Sequence, residues 1–157
     1  LLNMLVGMKG LARVSGTPGR TRQIFFYNLG DKLMLVDLPG YGYARAPRDE
    51  MEKWHRLASA YIAAGRDIRL MLVLMDVRRK PDSLDRMLID MVEREGIEWC
   101  PVWTKCDKLS RGELEKRRKA LDGLLQARRS GIVTSSRKGV GRLELIRVIE
   151  RATGVAL

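Results

Sequence analysis

Apolar side chains recur with strand-like spacing in some stretches of the chain and with helical spacing in others. Thr21 to Leu29 is rich in β-branched and aromatic residues, and Lys32 to Asp37 is an apolar run ending in a carboxylate. Gly30-Asp31 between them is typical of a tight turn, so the sequence predicts an antiparallel hairpin. Further strands are predicted at 70–75, buried on both faces, at 97–103, where Pro101 is expected to interrupt the strand, and at 131–134.

Spacings of three and four residues predict the helices between these strands. One runs from Met51 until Gly65, a second begins at Asp82 or Ser83 and ends at Gly96, and a last one begins near Val140. A helix over Ser110 to Ala127 is expected to turn four leucines inward, namely Leu114, Leu121, Leu124 and Leu125. Residues 2–6 have the spacing of a helix without an N-cap, so we expect the chain to be a fragment.

Strands alternate with helices after the hairpin, and this order predicts an α/β fold. The expected architecture has three layers (α/β/α), with a mostly parallel sheet and one antiparallel hairpin strand. We expect one domain over residues 1–157. The stretch from about Gly7 to Gly19 lacks a regular pattern, and a loop of that length in a compact domain is usually functional.

Composition narrows the partners and excludes one class of site. Lys and Arg total 30 against 19 Asp and Glu, giving a net charge of +11. This excess favours a polyanionic partner such as nucleic acid, although scattered charges that only maintain solubility are the alternative. Two cysteines and one histidine exclude an assembled zinc site and fit a reducing cytoplasm. No apolar run is long enough to span a membrane.

The most specific motif is T-K-C-D at 104–107, because ligands of open α/β sheets bind beyond the carboxyl ends of strands. Asp107 can accept two parallel N–H bonds, which among purines only guanine offers, and the Lys105 stem can lie against the base. Backbone N–H groups of Ser135 and Ser136 can reach the guanine carbonyl. The alternative is an ordinary loop in which Asp107 or Ser110 caps the next helix.

D-L-P-G at 37–40 suits the other end of a nucleotide. Asp37 can hold magnesium through a water, and Gly40 lets the backbone N–H reach a terminal phosphate. Thr21, where the long loop meets the hairpin, can offer its hydroxyl to magnesium. Alone, D-x-P-G also describes a turn and Thr21 an ordinary strand residue. The fixed order of the three elements is what favours a guanine-nucleotide site.

With these motifs the chain resembles the bacterial EngB (YihA) family of P-loop GTPases, in the TrmE-Era-EngA-EngB-septin-like superfamily. D-L-P-G-Y-G-Y-A is particularly characteristic of that family, and Lys53-Trp54 and T-K-C-D-K-L-S also match. Further matches are L-L-N-M-L-V-G, G-L-A-R-V-S-G-T-P-G-R-T-R-Q, Val73 to Arg78 and the two-serine strand end.

The resemblance implies a cytoplasmic GTPase that acts as a switch in large ribosomal subunit assembly and is needed for cell division and septation. Its expected partners are GTP, GDP, ribosomal large-subunit particles and their RNA, and we expect a monomer. Mg²⁺ would bind Thr21 directly and Asp37 through water, with Thr21 and Gly40 catalytic. The nucleotide-binding set would be Gly19, Arg20, Thr21, Arg22, Gln23, Asp37, Leu38, Pro39, Gly40, Thr104, Lys105, Cys106, Asp107, Thr134, Ser135 and Ser136.

The chain departs from the family pattern chiefly at its start, with smaller departures at Gly16 and Cys106. The family's G-x-x-x-x-G-K-[ST] phosphate loop and first strand precede L-L-N, and this sequence starts at Leu1 without them. We therefore expect the piece alone to be inactive. Tyr41 stands where many GTPases have glutamine, so we expect slow intrinsic hydrolysis that ribosomal particles accelerate. The alternatives are an Era-like RNA-associated GTPase and an RNA-binding scaffold without nucleotide turnover.

Overall fold

The structure is a computed structural model, which describes residues 1–12, 23–40 and 48–157, with 48–50 described as backbone only. Contacts divide the chain into two compact units, Leu1–Arg13 with Arg69–Leu157, and Val14–Ile68. A single domain over 1–157 stays a prediction. In chain order the elements are α1 (Leu2–Val6), β1 (Phe25–Leu29), β2 (Leu33–Asp37), α2 (Arg48–Ile62), β3 (Met71–Asp76), α3 (Ser83–Arg94), β4 (Trp99–Thr104), a 3-10 turn (Cys106–Lys108), α4 (Arg111–Leu125), β5 (Ile132–Val133) and α5 (Arg142–Thr153).

The larger unit is built on a parallel sheet in the order β3-β4-β5. Helices α3 and α4 connect successive strands, which is the βαβ arrangement that parallel pairing requires. Arg142 of α5 donates from Nε to the carbonyls of Met4 and Leu5, at 2.8 and 3.1 Å, and so attaches α1. The core consists of fully or almost fully buried side chains, among them Val73, Met75, Val102, Trp103, Leu121 and Leu145.

The smaller unit contains the predicted hairpin, in which β1 pairs antiparallel with β2. Gly30 and Asp31 take positive φ angles of 60° and 57° at its tip. The Lys32 N–H closes the turn on the Leu29 carbonyl at 3.2 Å. In α2, Trp54, Ala58 and Ile62 are buried at four-residue spacing, as the helical pattern predicted. The α/β class with a parallel sheet and an antiparallel hairpin is therefore confirmed.

Pro101 does not interrupt its strand, contrary to expectation. Thr104 and Glu98 point their carbonyls towards β3, whereas Trp103 accepts the Thr134 N–H from the opposite side. Alternate residues of a parallel strand bond to opposite neighbours, so Pro101 belongs to the β5 side. There β5 pairs only with Val102 and Trp103. The proline thus lies just before that ladder begins, where no donor is needed.

Burial corrects two other expectations. Leu74 in β3 is 43% exposed, whereas the central strand β4 is buried on both faces. Leu124 is 42% exposed and does not face inward. Helix α4 ends at Leu125, where Gln126 turns left-handed with a φ of 52°. Element bounds also differ by a few residues: α2 spans Arg48–Ile62, and α5 begins at Arg142.

Candidate functional site

The predicted phosphate end lies in the smaller unit, where β2 leads into D-L-P-G. Asp37 is the last residue of β2, paired with Phe25 across the hairpin. Pro39 is buried, and its carbonyl accepts the Trp54 indole N–H at 2.6 Å. The turn after the carboxylate is thus fastened to α2, which fixes the direction in which the backbone leaves the strand.

The Asp37 carboxylate is partly buried. Burial raises the pKa of Asp37 above its ordinary value and outweighs an attractive positive charge that lowers it. Among the described residues, no side-chain hydrogen bond contributes to this pKa. A cation bound beside the carboxylate would favour its charged form.

The donor set fits magnesium shared with phosphates and does not fit an all-protein metal cage. Among the described residues, no group of three or more His, Cys, Asp or Glu side chains could hold a metal ion. Mg²⁺ usually takes one or two carboxylates together with substrate phosphates. Asp37 is suited to that role.

Gly40 follows in open space. No atom of residues 1–12, 23–40 or 48–157 lies within 4 Å of the position that a Cβ would occupy there. Packing within those residues therefore does not require glycine, and a ligand approaching the backbone is a reason for it. Leu38 is partly buried and Gln23 is exposed just before β1. The predicted site residues Gly19, Arg20, Thr21 and Arg22 lie outside the described residues, so their roles stay predictions.

The T-K-C-D turn lies in the larger unit and is attached to both neighbouring strand ends. Thr104 Oγ1 donates to the Met75 carbonyl at 3.0 Å. On the other side, the Cys106 N–H donates to the Thr134 carbonyl at 3.0 Å. Lys105 turns left-handed between them, with a φ of 61°. These bonds hold the short 3-10 turn that carries Asp107.

Asp107 does not cap the following helix, because Ser110 does. The Ser110 hydroxyl accepts the Glu113 N–H at 3.4 Å, and the Glu113 carboxylate accepts the Ser110 N–H at 2.9 Å. This reciprocal pair is a capping box. Of the two caps that the alternative allowed, Ser110 is therefore confirmed and Asp107 is excluded, which leaves the Asp107 carboxylate available for other contacts.

Ser135 holds the Asp107 carboxylate from the next strand end. Its Oγ donates to Asp107 Oδ1 at 2.6 Å and accepts the Lys138 N–H at 3.2 Å. The Ser135 hydrogen bond, supplemented by the positive charges of Lys108 and Lys138, lowers the pKa of Asp107. The side chain is therefore an ionised acceptor at neutral pH, oriented by a fixed donor.

Only one of the two predicted backbone donors is available. The Ser135 N–H donates to the Val140 carbonyl at 3.1 Å, so the expectation that it reaches a ligand is wrong. Ser136 is exposed, and its N–H has no partner in the described part of the chain. Thr134 is fully buried, and its Oγ1 has no hydrogen-bond partner there. Nothing in the described structure explains that hydroxyl.

Sequence reasoning missed two side chains that support this turn. The sequence assigns a role only to the Ser135 backbone, whereas in the structure its hydroxyl makes the contact with Asp107. Asp76 ends β3 in register with Thr104, and its Oδ2 lies 3.1 Å from Lys105 Nζ. Its position at a strand end, level with T-K-C-D, was the available signal.

Two further expectations concern the cysteines and the membrane. Cys100 and Cys106 are free and buried, and burial raises the pKa of the Cys100 thiol to about 11. They are therefore packing residues rather than reactive thiols. None of the helices in the described ranges combines the length and apolar character needed to cross a membrane.

The chain is similar to known proteins in both sequence and fold. The family described as "50S ribosome-binding GTPase" matches residues 1–105. The chain is 38% identical over 153 residues to the "Probable GTP-binding protein EngB" of Desulfotalea psychrophila, covering 96% of this chain and 78% of that protein. The protein of the same name from Cereibacter sphaeroides is 39% identical over 158 residues, covering 98% and 72%.

Solved structures agree in fold. A crystal structure of a probable GTP-binding protein engB superposes with a TM-score of 0.77 at 18% identity, covering 98% of this chain and 90% of that one. Elongation factor SelB from Methanococcus maripaludis, in complex with the GTP analogue GppNHp, gives 0.65 at 24% identity, covering 87% and 29%. At these identities the likeness concerns the fold alone.

Proposed function

The chain belongs to the EngB family of GTP-binding proteins, and from this membership we propose that it works as a GTP-hydrolysing switch. It binds GTP and GDP with Mg²⁺ in the cytoplasm and acts on particles of the large ribosomal subunit during their assembly. Through that role it supports cell division and septation. The hydrolysis of GTP is supported by the family as a whole, and the finer assignments are ours.

The observation that carries the proposal is the held carboxylate of Asp107. Ser135 donates to one of its oxygens at 2.6 Å, and Ser110, not Asp107, caps helix α4. An ionised acceptor fixed at a strand end suits the N1–H and 2-amino group of guanine. Adenine offers a bare acceptor at N1, which would leave the carboxylate unpaired. We assign the Ser136 N–H, which has no partner within the described ranges, as the donor to the guanine carbonyl.

At the phosphate end the proposal rests on the turn after β2. Asp37 would hold Mg²⁺ through a water, Thr21 would bind the ion through its hydroxyl, and Gly40 would donate its N–H to the terminal phosphate. When bound, the ion would supply positive charge that stabilises the phosphate oxygens during the attack of water on the terminal phosphoryl group. Trp54 supports this end from α2 by its 2.6 Å hydrogen bond to the Pro39 carbonyl.

The net charge of the chain and the description of its family both favour ribosomal particles as the partner. The net charge of +11 suits RNA, and the matching family carries the description "50S ribosome-binding GTPase". The relatives named EngB favour this function over an Era-like one. An RNA-binding scaffold without nucleotide turnover is disfavoured, because it would have no use for a turn suited to guanine. Tyr41 in place of glutamine suits slow hydrolysis that the particle accelerates.

Replacing Asp37 with asparagine tests the proposal in the natural full-length protein. Single-turnover GTP hydrolysis in the presence of Mg²⁺ and large ribosomal subunits should fall by about a hundredfold, because the metal loses its carboxylate. Thermal stability without nucleotide should stay equal or rise at neutral pH. Because the pKa of Asp37 is raised in the folded state, the charged carboxylate destabilises the fold at neutral pH. This cost in folding free energy decreases as the pH falls through the raised pKa, since the carboxylate then becomes protonated.

Asp31→Asn at the exposed hairpin tip is the matched control, since it removes one charge from the same hairpin. Its hydrolysis rate should equal that of the wild type. Hydrolysis that is equally fast with and without ribosomal subunits would contradict the switch mechanism. Unchanged Mg²⁺-dependent hydrolysis in Asp37→Asn would contradict the assigned metal site.

A further inference from the structure

The carboxylate that ends β3 makes contacts in the larger unit that the proposed reaction does not use. Asp76 is in register with Thr104 at the end of the neighbouring strand β4. Its side chain is 19% exposed, and its Oδ2 lies 3.1 Å from the ammonium of Lys105, whose side chain is 58% exposed. The ammonium group of Lys105 is thus paired with the partly buried carboxylate of Asp76.

Arg78 fixes the orientation of that anion. Its backbone N–H and Nε donate to Asp76 Oδ1 at 3.0 and 2.9 Å, and its second terminal nitrogen donates to Oδ2 at 2.7 Å. The Arg78 hydrogen bonds, with smaller help from Lys105, hold the pKa of Asp76 well below its usual range. The carboxylate is therefore charged at every physiological pH and cannot rotate away from the lysine.

The backbone beside Asp76 is held by a helix on the next crossover. Arg117 of α4 donates from Nε to the Val77 carbonyl at 3.1 Å and from a terminal nitrogen to the Arg78 carbonyl at 2.8 Å. Val77 is fully buried. The backbone that follows Asp76 is consequently attached to α4 and to the buried core.

We propose that Asp76 is a positioning residue for nucleotide binding, which holds the Lys105 ammonium so that the lysine stem is ordered before the base arrives. This inference rests on the proposed guanine-binding function of the same strand ends. Lysine has several rotatable bonds, and ordering such a side chain on binding costs about 0.5 to 1.5 kcal/mol. Tethering the ammonium in the free protein removes part of that cost. Because the stem touches the face of the base and not its edge, Asp76 should affect affinity without affecting base selectivity.

The test is a titration of the natural full-length protein with GDP and Mg²⁺, comparing wild type with Asp76→Asn. The variant should bind GDP about threefold to tenfold more weakly, which corresponds to the ordering cost above. In a Lys105→Met background, which keeps the stem and removes the ammonium, Asp76→Asn should change the affinity less than about twofold. If Asp76→Asn weakened GDP binding equally with Lys105 and with Lys105→Met, Asp76 would act through the structure of its loop and not through the lysine, and the proposal would be overturned.

Two further arms separate the possible causes. Arg78→Gln removes the two side-chain bonds that orient Asp76 and keeps the backbone bond, so it should weaken GDP binding less than Asp76→Asn does, and by less than about twofold in the Lys105→Met background; a larger loss in that background would overturn the proposal. In an Asp107→Asn background, Asp76→Asn should weaken XDP by the same factor as it weakens GDP in the wild type, and a smaller or absent loss would overturn it. A wild type that does not bind GDP would refute the proposed function and this inference together, whereas full GDP affinity in Asp76→Asn would refute the inference alone.

Discussion

Replacing Asp107 with asparagine is expected to weaken GDP binding by at least about a hundredfold and to make XDP the preferred ligand. The wild-type carboxylate only accepts hydrogen bonds, and guanine presents two donors to it. An asparagine amide presents one acceptor and one donor. The amide donor then faces the guanine 2-amino group, which is also a donor. Two facing donors cannot bond to each other, so each loses its hydrogen bond to water without a replacement.

Xanthine restores the match, because it has a carbonyl oxygen where guanine has the 2-amino group. The amide of the variant can donate to that oxygen and accept the N1–H. Ser135 Oγ, which donates to Asp107 Oδ1 at 2.6 Å, can bond to the amide oxygen in the same place. The variant should therefore keep the orientation of the side chain at position 107 and exchange only its hydrogen-bonding character.

Competition binding of GDP and XDP to the natural full-length protein measures this exchange. Asp90→Asn, which removes one exposed carboxylate from α3, is the control and should keep the wild-type preference. Ser135→Ala should weaken both nucleotides while leaving their ratio near that of the wild type. An Asp107→Asn variant that still preferred GDP would show that another group reads the base.

Gly141→Ala should destabilise the fold by about 3 kcal/mol. Gly141 has a φ of 81°, and an added Cβ would collide with the Val133 carbonyl oxygen and lie 2.9 Å from Thr134 Cγ2. The positive φ costs about 1 to 2 kcal/mol for alanine, and the collision with backbone adds about 1 to 3 kcal/mol. Any relief must move the strand end that leads to Ser135.

Gly139→Ala separates the two causes, because Gly139 has a similar φ of 70° but no atom within 4 Å of its would-be Cβ. Urea unfolding should place the two variants about 1 to 3 kcal/mol apart, with Gly141→Ala the less stable. GDP affinity should fall in Gly141→Ala and change little in Gly139→Ala. Equal free energies of unfolding for the two variants would contradict the prediction, because they would mean that the loop between Ser135 and α5 moves away from the added Cβ without loss of stability.

The order of strands and helices could be predicted from sequence because periodicity reports which face of each element is buried. Periodicity does not report sheet position, which is why Leu74 was expected inside and is exposed. Pro101 shows the same limit. Whether a missing N–H matters depends on how far the neighbouring strand β5 extends, and that length is a tertiary property.

The site was predictable where chemistry follows a strand end, as for Asp37 and Asp107. It was not predictable where side chains from separate segments meet. Ser135 lies 28 residues from Asp107, and its hydroxyl, rather than its amide, makes the contact. Asp76 lies at another strand end, and only the parallel register brings it to Lys105. Such pairs depend on how strands align, which local sequence does not encode.

The central claim is that one ionised carboxylate at position 107 selects guanine. Its most direct test is displacement of a fluorescent GDP analogue from the natural full-length protein by unlabelled GDP and ADP in the presence of Mg²⁺. GDP should displace the probe at concentrations at least about a hundredfold lower than ADP. Displacement by ADP at the same concentrations as GDP would contradict the claim.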